Sequence, residues 1–197
     1  MKTLFKFLYR KDVLILSLSL VFLTMACENP QQETSKKSEV VKVANTAPKM
    51  DLHTAILSDR IDIIEQHIKA GSDLNVKEPM AGSTPLITAA VFGKTDAANM
   101  LIDAEADLDL KNNDGSTALH VASFFCRTEI VEALLAKGAD KSLRNNFGAT
   151  ALESVSAPYD QVAGIYAQIK NGMKPLGLQI DLDYVEQTRP KVAAMLQ

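Results

Sequence analysis

The strongest constraint on this chain is a register that returns at constant spacing. Gly82, Gly115 and Gly148 keep it, as do Thr84, Thr117 and Thr150, and Leu86, Leu119 and Leu152. Asp107 and Asp140 share the spacing, and Asp73 precedes Asp107 by one position more. Self-similarity at a fixed period of this length marks a stacked array, in which one unit cannot bury its apolar face without a neighbour. Thr84 and Thr117 are suited to capping helix N-termini, and Pro85 suits a first helical turn. Ala89-Ala90 and Ala122-Ser123 are small enough for close helix contact. Gly71 and Gly138 supply the left-handed residue that ends a second helix, and Glu105 takes that place in the middle repeat at some cost in stability. The expected fold is all-α, a solenoid of about four helix pairs with short hairpin connections.

Specific motifs carry a resemblance. Gly82-Ser83-Thr84-Pro85-Leu86 and Asp114-Gly115-Ser116-Thr117-Ala118-Leu119-His120 resemble the opening of an ankyrin repeat, and Glu129 to Asp140 resembles its second helix and exit turn. The resemblance covers about residues 50–160. It implies an ankyrin-repeat domain over 50–172, divided at about 50–80, 81–113, 114–146 and 147–172. The first repeat is read as a cap, with Leu52, Ala55, Ile56, Ile61, Ile64 and Ile68 facing inward. The fourth drifts: Glu153, Val155 and Ser156 replace the usual histidine and alanines, Pro158 interrupts, and its second helix is expected at Asp160–Lys170. Residues 173–197 read as a C-terminal helical cap. There Asp183 to Glu186 would cap a short helix, and Arg189-Pro190 would open a last one.

The N-terminus reads differently. Lys2, Lys6, Arg10 and Lys11 precede an apolar run from Val13 to Ala26. As a helix that run spans roughly 21 Å, short of the roughly 30 Å hydrocarbon core of a bilayer. This pattern describes a bacterial export signal over residues 1–26. Leu23-Thr24-Met25-Ala26-Cys27 resembles the lipobox of bacterial lipoproteins, with Thr24 where leucine is usual. The resemblance implies that Cys27 is lipidated; an ordinary cut after Ala26 or an uncleaved anchor are the alternatives. Two or more acyl chains are what stable anchoring takes. Residues 28–49 form a tether whose first half lacks large apolar side chains and is expected to be disordered.

Charge excludes several partners. The whole chain has 21 basic and 24 acidic residues; removing residues 1–26 takes away four basic and one acidic, leaving 17 and 23. An acidic domain lacks the basic footprint of a nucleic-acid binder. It also has no charge attraction to anionic lipid, so the lipidated Cys27 is its expected membrane contact. Glu28 after the cysteine favours the outer membrane where two membranes exist. The domain is then expected in the cell envelope as a monomer, facing the periplasm or exterior.

No catalytic constellation stands out. The three histidines are scattered. His53 and His120 hold equivalent repeat positions, where the resemblance implies a ring bonded to neighbouring loop backbone; His67 has no companion one turn on. Asp103, Asp107, Asp109 and Asp114 do not match the ligand spacing of a calcium loop. Nucleophile elbows, phosphate loops and dinucleotide fingerprints are missing from the sequence. No metal, cofactor or enzymatic activity is expected. Cys126 falls at an inter-helix turn beside Arg127, which would lower its pKa if the two were close. It is either a half-buried thiol of no consequence or a redox-sensitive or intermolecular-disulfide position.

The ankyrin pattern places Phe92, Phe124, Phe125 and Phe147 at first-helix ends and hairpin tips, the positions that line a concave groove. Met80, Val91 and Leu57 join them, with Asn113, Asp114, Ser116 and Asn146 as polar contacts at the tips. The competing expectation is that some of these aromatics pack between repeats. The groove implies capture of one protein partner. The alternative function is an inhibitor, immunity or protective partner of an envelope enzyme, for example in peroxide defence, hinted at by the acidic charge.

Overall fold

The computed structural model describes residues 46–197. The export signal, Cys27 and the tether as far as residue 45 lie outside them.

Helices α1 (Leu52–Leu57) and α2 (Ile61–Ala70) form the first pair, α3 (Pro85–Phe92) and α4 (Thr95–Asp103) the second, α5 (Ala118–Phe124) and α6 (Thr128–Ala136) the third. Then come α7 (Ala151–Ser156), α8 (Tyr159–Met173), a 3-10 turn (Lys174–Leu176) and α9 (Leu182–Leu196). The described residues include no strand.

The first helix of each unit starts at one register position. Asp51, Thr84, Thr117 and Thr150 are the N-caps, each accepting the backbone N–H of the third residue on. An oxygen there satisfies a donor that the helix leaves orphaned, worth about 1 kcal/mol per cap. Glu153 completes a capping box with Thr150, so the residue that departs from the usual histidine still does terminal work.

Packing follows the register. The inner helices α1, α3, α5 and α7 stack in a row, and α2, α4 and α6 stack behind them. Alanines 89, 90 and 122 and Ser123 are fully buried, which lets neighbouring inner helices approach closely. Ile56, Ile64, Leu86, Leu101, Leu119, Ile130 and Leu134 fill the space between the layers. Each such side chain contributes roughly 1.5–3 kcal/mol of burial. Ile61, expected inside, is 37% exposed, because it opens α2 on the outer side of the inter-helix turn.

Backbone strain is also periodic. Asp59, Gly93 and Cys126 share the inter-helix turn, with φ of 53, 66 and 54°. Gly71, Glu105 and Gly138 share the exit from the second helix at 67, 61 and 87°. Each of these two columns holds non-glycine residues, which bear the left-handed strain of about 1 kcal/mol or more.

The fourth unit departs from the expected arrangement. A helix does occupy 160–170, but the helix packed on α7 in the outer layer, next to α6, is α9. Pro158 is the cause. It holds the register position of Phe125 one repeat earlier, whose N–H bonds the Val121 carbonyl as α5 ends. Proline has no N–H to give, and it forces Ala157 into an extended conformation with ψ of 143°. The chain therefore leaves the repeat path as α8 and returns through Gly177 (φ 87°) to let α9 complete the layer. The two short helices expected over 183–197 are one helix, capped by Asp181, with Pro190 inside it.

Candidate partner-binding surface

The loops between units fold into tight turns that project as a row of tips. One side chain organises each tip. Asn112 Oδ1 accepts from Asp114 N and Ser116 N, and Asn145 Oδ1 accepts from Phe147 N and Ala149 N. In the first loop, where the register is one position longer, Glu78 reaches Met80 N, Ala81 N and Ser83 N. The loops are tied to each other too. Asn113 N donates to Ala81 O and Asn146 N to Asp114 O, both at 2.9 Å. The Asn113 and Asn146 side-chain amides donate to Met80 O (3.2 Å) and Asn113 O (2.9 Å). The ladder accounts for two of the repeating glycines, since a Cβ on Gly82 or Gly115 would collide with the Asn113 or Asn146 side chain; Gly148 has open space there and is set by its φ of 76°.

Asn113 and Asn146, expected to face a partner, are thus engaged in holding the tips together. Asp114 is exposed and Ser116 half-buried. Met80 and Phe147 stand clear, at 85% and 80% exposure. Val91 and Phe92 are half-buried at the end of α3.

The third unit corrects the expectation most sharply. Phe125 is 7% exposed, and Phe124 is half-buried, as Phe92 is. The Phe124 ring stacks on Tyr166 of α8 with centroids 4.5 Å apart and meets Phe125 edge-on at 5.2 Å. Tyr166 is fully buried; its hydroxyl donates to Phe124 O (2.5 Å) and accepts from Arg189 Nη1 (2.7 Å). Arg189, 3% exposed, also donates from Nη2 to Ala157 O at 2.7 Å. Burial pushes the Tyr166 phenol up to about 12, so it stays protonated as the donor. Phe125 therefore belongs to the core, and the Phe124 ring is half-buried with one face taken by Tyr166 of α8. The sequence held no signal for this, because the covering residues lie outside the repeat.

Cys126 is buried and points its Sγ at Val185 O, 3.7 Å away. Burial raises its thiol to about 11, outweighing the attraction of Arg189 and Arg127. The lowering by Arg127 is present but outweighed by burial, and a protonated, inaccessible thiol is a poor redox centre.

The histidines are framework. His53 Nε2 donates to Val76 O (2.9 Å), leaving Nδ1 for the Thr88 hydroxyl (2.9 Å). His120 Nε2 donates to Ala149 O (3.1 Å) and its Nδ1 accepts from Thr117 N (3.3 Å). Burial holds the His120 pKa below its ordinary value. His67 bridges Ser72 and Met50 O. Among the described residues no group of three or more His, Cys, Asp or Glu side chains is placed to hold a metal. No helix among them is long and apolar enough to cross a membrane.

A family model of ankyrin repeats in three copies matches residues 52–145. The array is an ankyrin-repeat fold. A solved structure similar to it is the ankyrin repeat domain of Bcl-3, described as a unique member of the IkappaB protein family. The match has a TM-score of 0.51 and 28% identity, and it covers 59% of this chain and 50% of that one. The chain thus spans half the length of the domain it resembles. No curated protein matches it. Ankyrin repeats are protein–protein interaction modules, and the fold is typically non-enzymatic. The ankyrin array here offers Met80 and Phe147 on the row of tips as its most exposed apolar side chains, with Val91 and Phe92 half-buried at the α3 end and α8 packed against the equivalent end of α5.

Proposed function

We propose that this chain is a lipid-anchored module of the bacterial cell envelope that holds one protein partner across its tips and inner-helix surface. One observation carries the partner site: Met80 and Phe147 are the most exposed large apolar side chains among the described residues, and they stand at the two ends of one row of tips. Apolar groups so placed contribute nothing to folding and a great deal to an interface that desolvates them. Asp114 lies between them in the row and supplies a polar contact; Val91 and Phe92 extend the surface down α3. The Leu23–Cys27 motif supports the anchor, with Cys27 as the lipidated residue.

Two variants test the two halves. Met80→Ser with Phe147→Ser should lose a partner retained from envelope extract by both the wild type and Glu132→Lys, whose change lies on the exposed side of α6. Retention by the tip variant would sink the site. Cys27→Ser should move the chain from the membrane to the soluble fraction; unchanged fractionation would sink the anchor. The second reading, a protective or inhibitory partner of an envelope enzyme, draws on the 14 basic against 20 acidic residues of 46–197 and requires the retained partner to be a basic enzyme.

A further inference from the structure

The excursion of residues 158–181 is the part of the molecule that the repeat does not account for, and it borders an open cleft of about 770 Å³. Ligand sites commonly span about 300–1,000 Å³. The cleft lies at the inter-helix-turn end of α5, opposite the tips. Its floor is the buried Phe125, Ile180 and Val185, and Tyr184, 45% exposed, stands at the rim.

Three cations line it: Arg127 from the third inter-helix turn, Lys170 from the last turn of α8 and Lys174 from the 3-10 turn. None has a carboxylate within ion-pair distance among the described residues. This is unusual in a domain with six more acidic than basic groups (20 against 14 over residues 46–197). The one carboxylate in the wall, Asp181, spends Oδ1 on the N–H groups of Asp183 and Tyr184. Glu129 attracts Arg127 from α6 without reaching it.

The repeat shows why Arg127 lacks a counter-ion. One register earlier, Lys94 pairs with Asp59. The equivalent partner position for Arg127 is Gly93, where even a Cβ would stand 2.8 Å from the guanidinium carbon. Arg127 Nη2 donates instead to the carbonyls of Val91 (3.2 Å) and Gln179 (3.3 Å), and its buried Nε has no acceptor. Burial lowers the Arg127 pKa, which marks a charge that its surroundings do not match.

We propose that this cleft binds a small amphipathic anion, with a carboxylate or phosphate group set against Arg127, Lys170 and Lys174 and an apolar body against Tyr184 and the edges of Phe125 and Ile180. The site lies away from the tips, adjoins the α3 end through the Arg127–Val91 bond, and is proposed independently of the tip surface.

Calorimetric titration of the full chain with phenyl phosphate, phenylacetate, inorganic phosphate and benzyl alcohol tests this. The two aromatic anions separate a phosphate from a carboxylate preference; the other two remove the apolar body or the charge. At least one aromatic anion is expected to bind at a single site, at least ten-fold more tightly than benzyl alcohol or inorganic phosphate. Lys174→Glu, at an exposed position, should weaken it at least ten-fold with circular dichroism unchanged. Lys141→Glu, whose parent amine bonds the Gln197 carbonyl away from the cleft, should leave binding as it was. Neither aromatic anion outbinding benzyl alcohol would overturn the site, as would undiminished binding to Lys174→Glu. Inorganic phosphate binding as well as phenyl phosphate would overturn the apolar half of the ligand.

Discussion

Residues 91–93 and 124–126 are the same point in two successive ankyrin units, yet they meet different fates. Val91 and Phe92 are half-buried beside Gly93, which takes the left-handed turn without strain. Phe124 and Phe125 lie under α8, and Cys126 takes the same turn at φ 54° with its thiol buried. The backbone is one design repeated; the environment is set by whatever lies across it. The α8 excursion exists because Pro158 cannot make the helix-end hydrogen bond that Phe125 makes. Phe92 and Phe124 are thus half-buried alike, but in the third unit Tyr166 stacks on Phe124 and Phe125 is closed into the core.

Four measurements sharpen or break that contrast. The largest effect is expected from serine at the two equivalent phenylalanines. Phe125→Ser should lose roughly 4 kcal/mol in urea unfolding, in the range of buried aromatic truncation, and Phe92→Ser roughly 1–2 kcal/mol. Equal losses would mean that the two positions are alike after all. Next is Tyr166→Phe, which keeps the ring but strands Phe124 O and a buried Arg189 N–H. It should cost about 2 kcal/mol and speed hydrogen exchange in α8 and α9 while leaving α3 and α4 as they were. Unchanged exchange in α8 would show that the hydroxyl does not hold the excursion down.

Glu105→Gly runs in the opposite direction. It replaces an exposed residue at φ 61° by the residue that its counterparts Gly71 and Gly138 already are. Stabilisation of about 1 kcal/mol, or roughly 3 °C in Tm, is expected; a loss would show that the carboxylate has work to do there. The smallest effect concerns His120. Its folded pKa is lowered by burial from 6.5, so its contribution is present above pH 6.5 and is lost as pH falls from there through the folded value. Urea midpoints should fall between pH 7.5 and 5.5, and His120→Gln should flatten that slope. An unchanged slope would place the titration elsewhere.

Much of this was legible in the chain, for a definite reason. A stacked array is stabilised by contacts between adjacent units, so the residues that make them recur in phase. The caps at Thr84 and Thr117, the paired small residues of the inner helices and the exit positions Gly71, Glu105 and Gly138 could all be read from the residues and their spacing. The framework role of His53 and His120 followed from the ankyrin resemblance. The tips were half legible. Their position was clear, but Asn113 and Asn146 resemble binding residues until their amides are seen spanning to the preceding loop. The in-phase recurrence of Asn112 and Asn145 was an available signal for the tip geometry; Glu78, doing the same work from a longer loop, was disguised by its register.

What the sequence determined by itself was everything that repeats: a helical array, its unit length and the caps at Thr84 and Thr117, the tip positions of Met80 and Phe147 following from the ankyrin resemblance. Those features depend on near neighbours in the chain and on a contact made several times over. Tertiary structure alone decided where α9 goes, that Tyr166 and Arg189 close over Phe124, that burial reverses the expected acidity of Cys126, and that Arg127 is left facing a cleft without a counter-ion. Each of those arises from a contact made once, between segments far apart in the chain, as Tyr166 is from Arg189 and Cys126 from Val185. A single long-range contact leaves no period behind it, and only the folded chain shows which side chains it brings together.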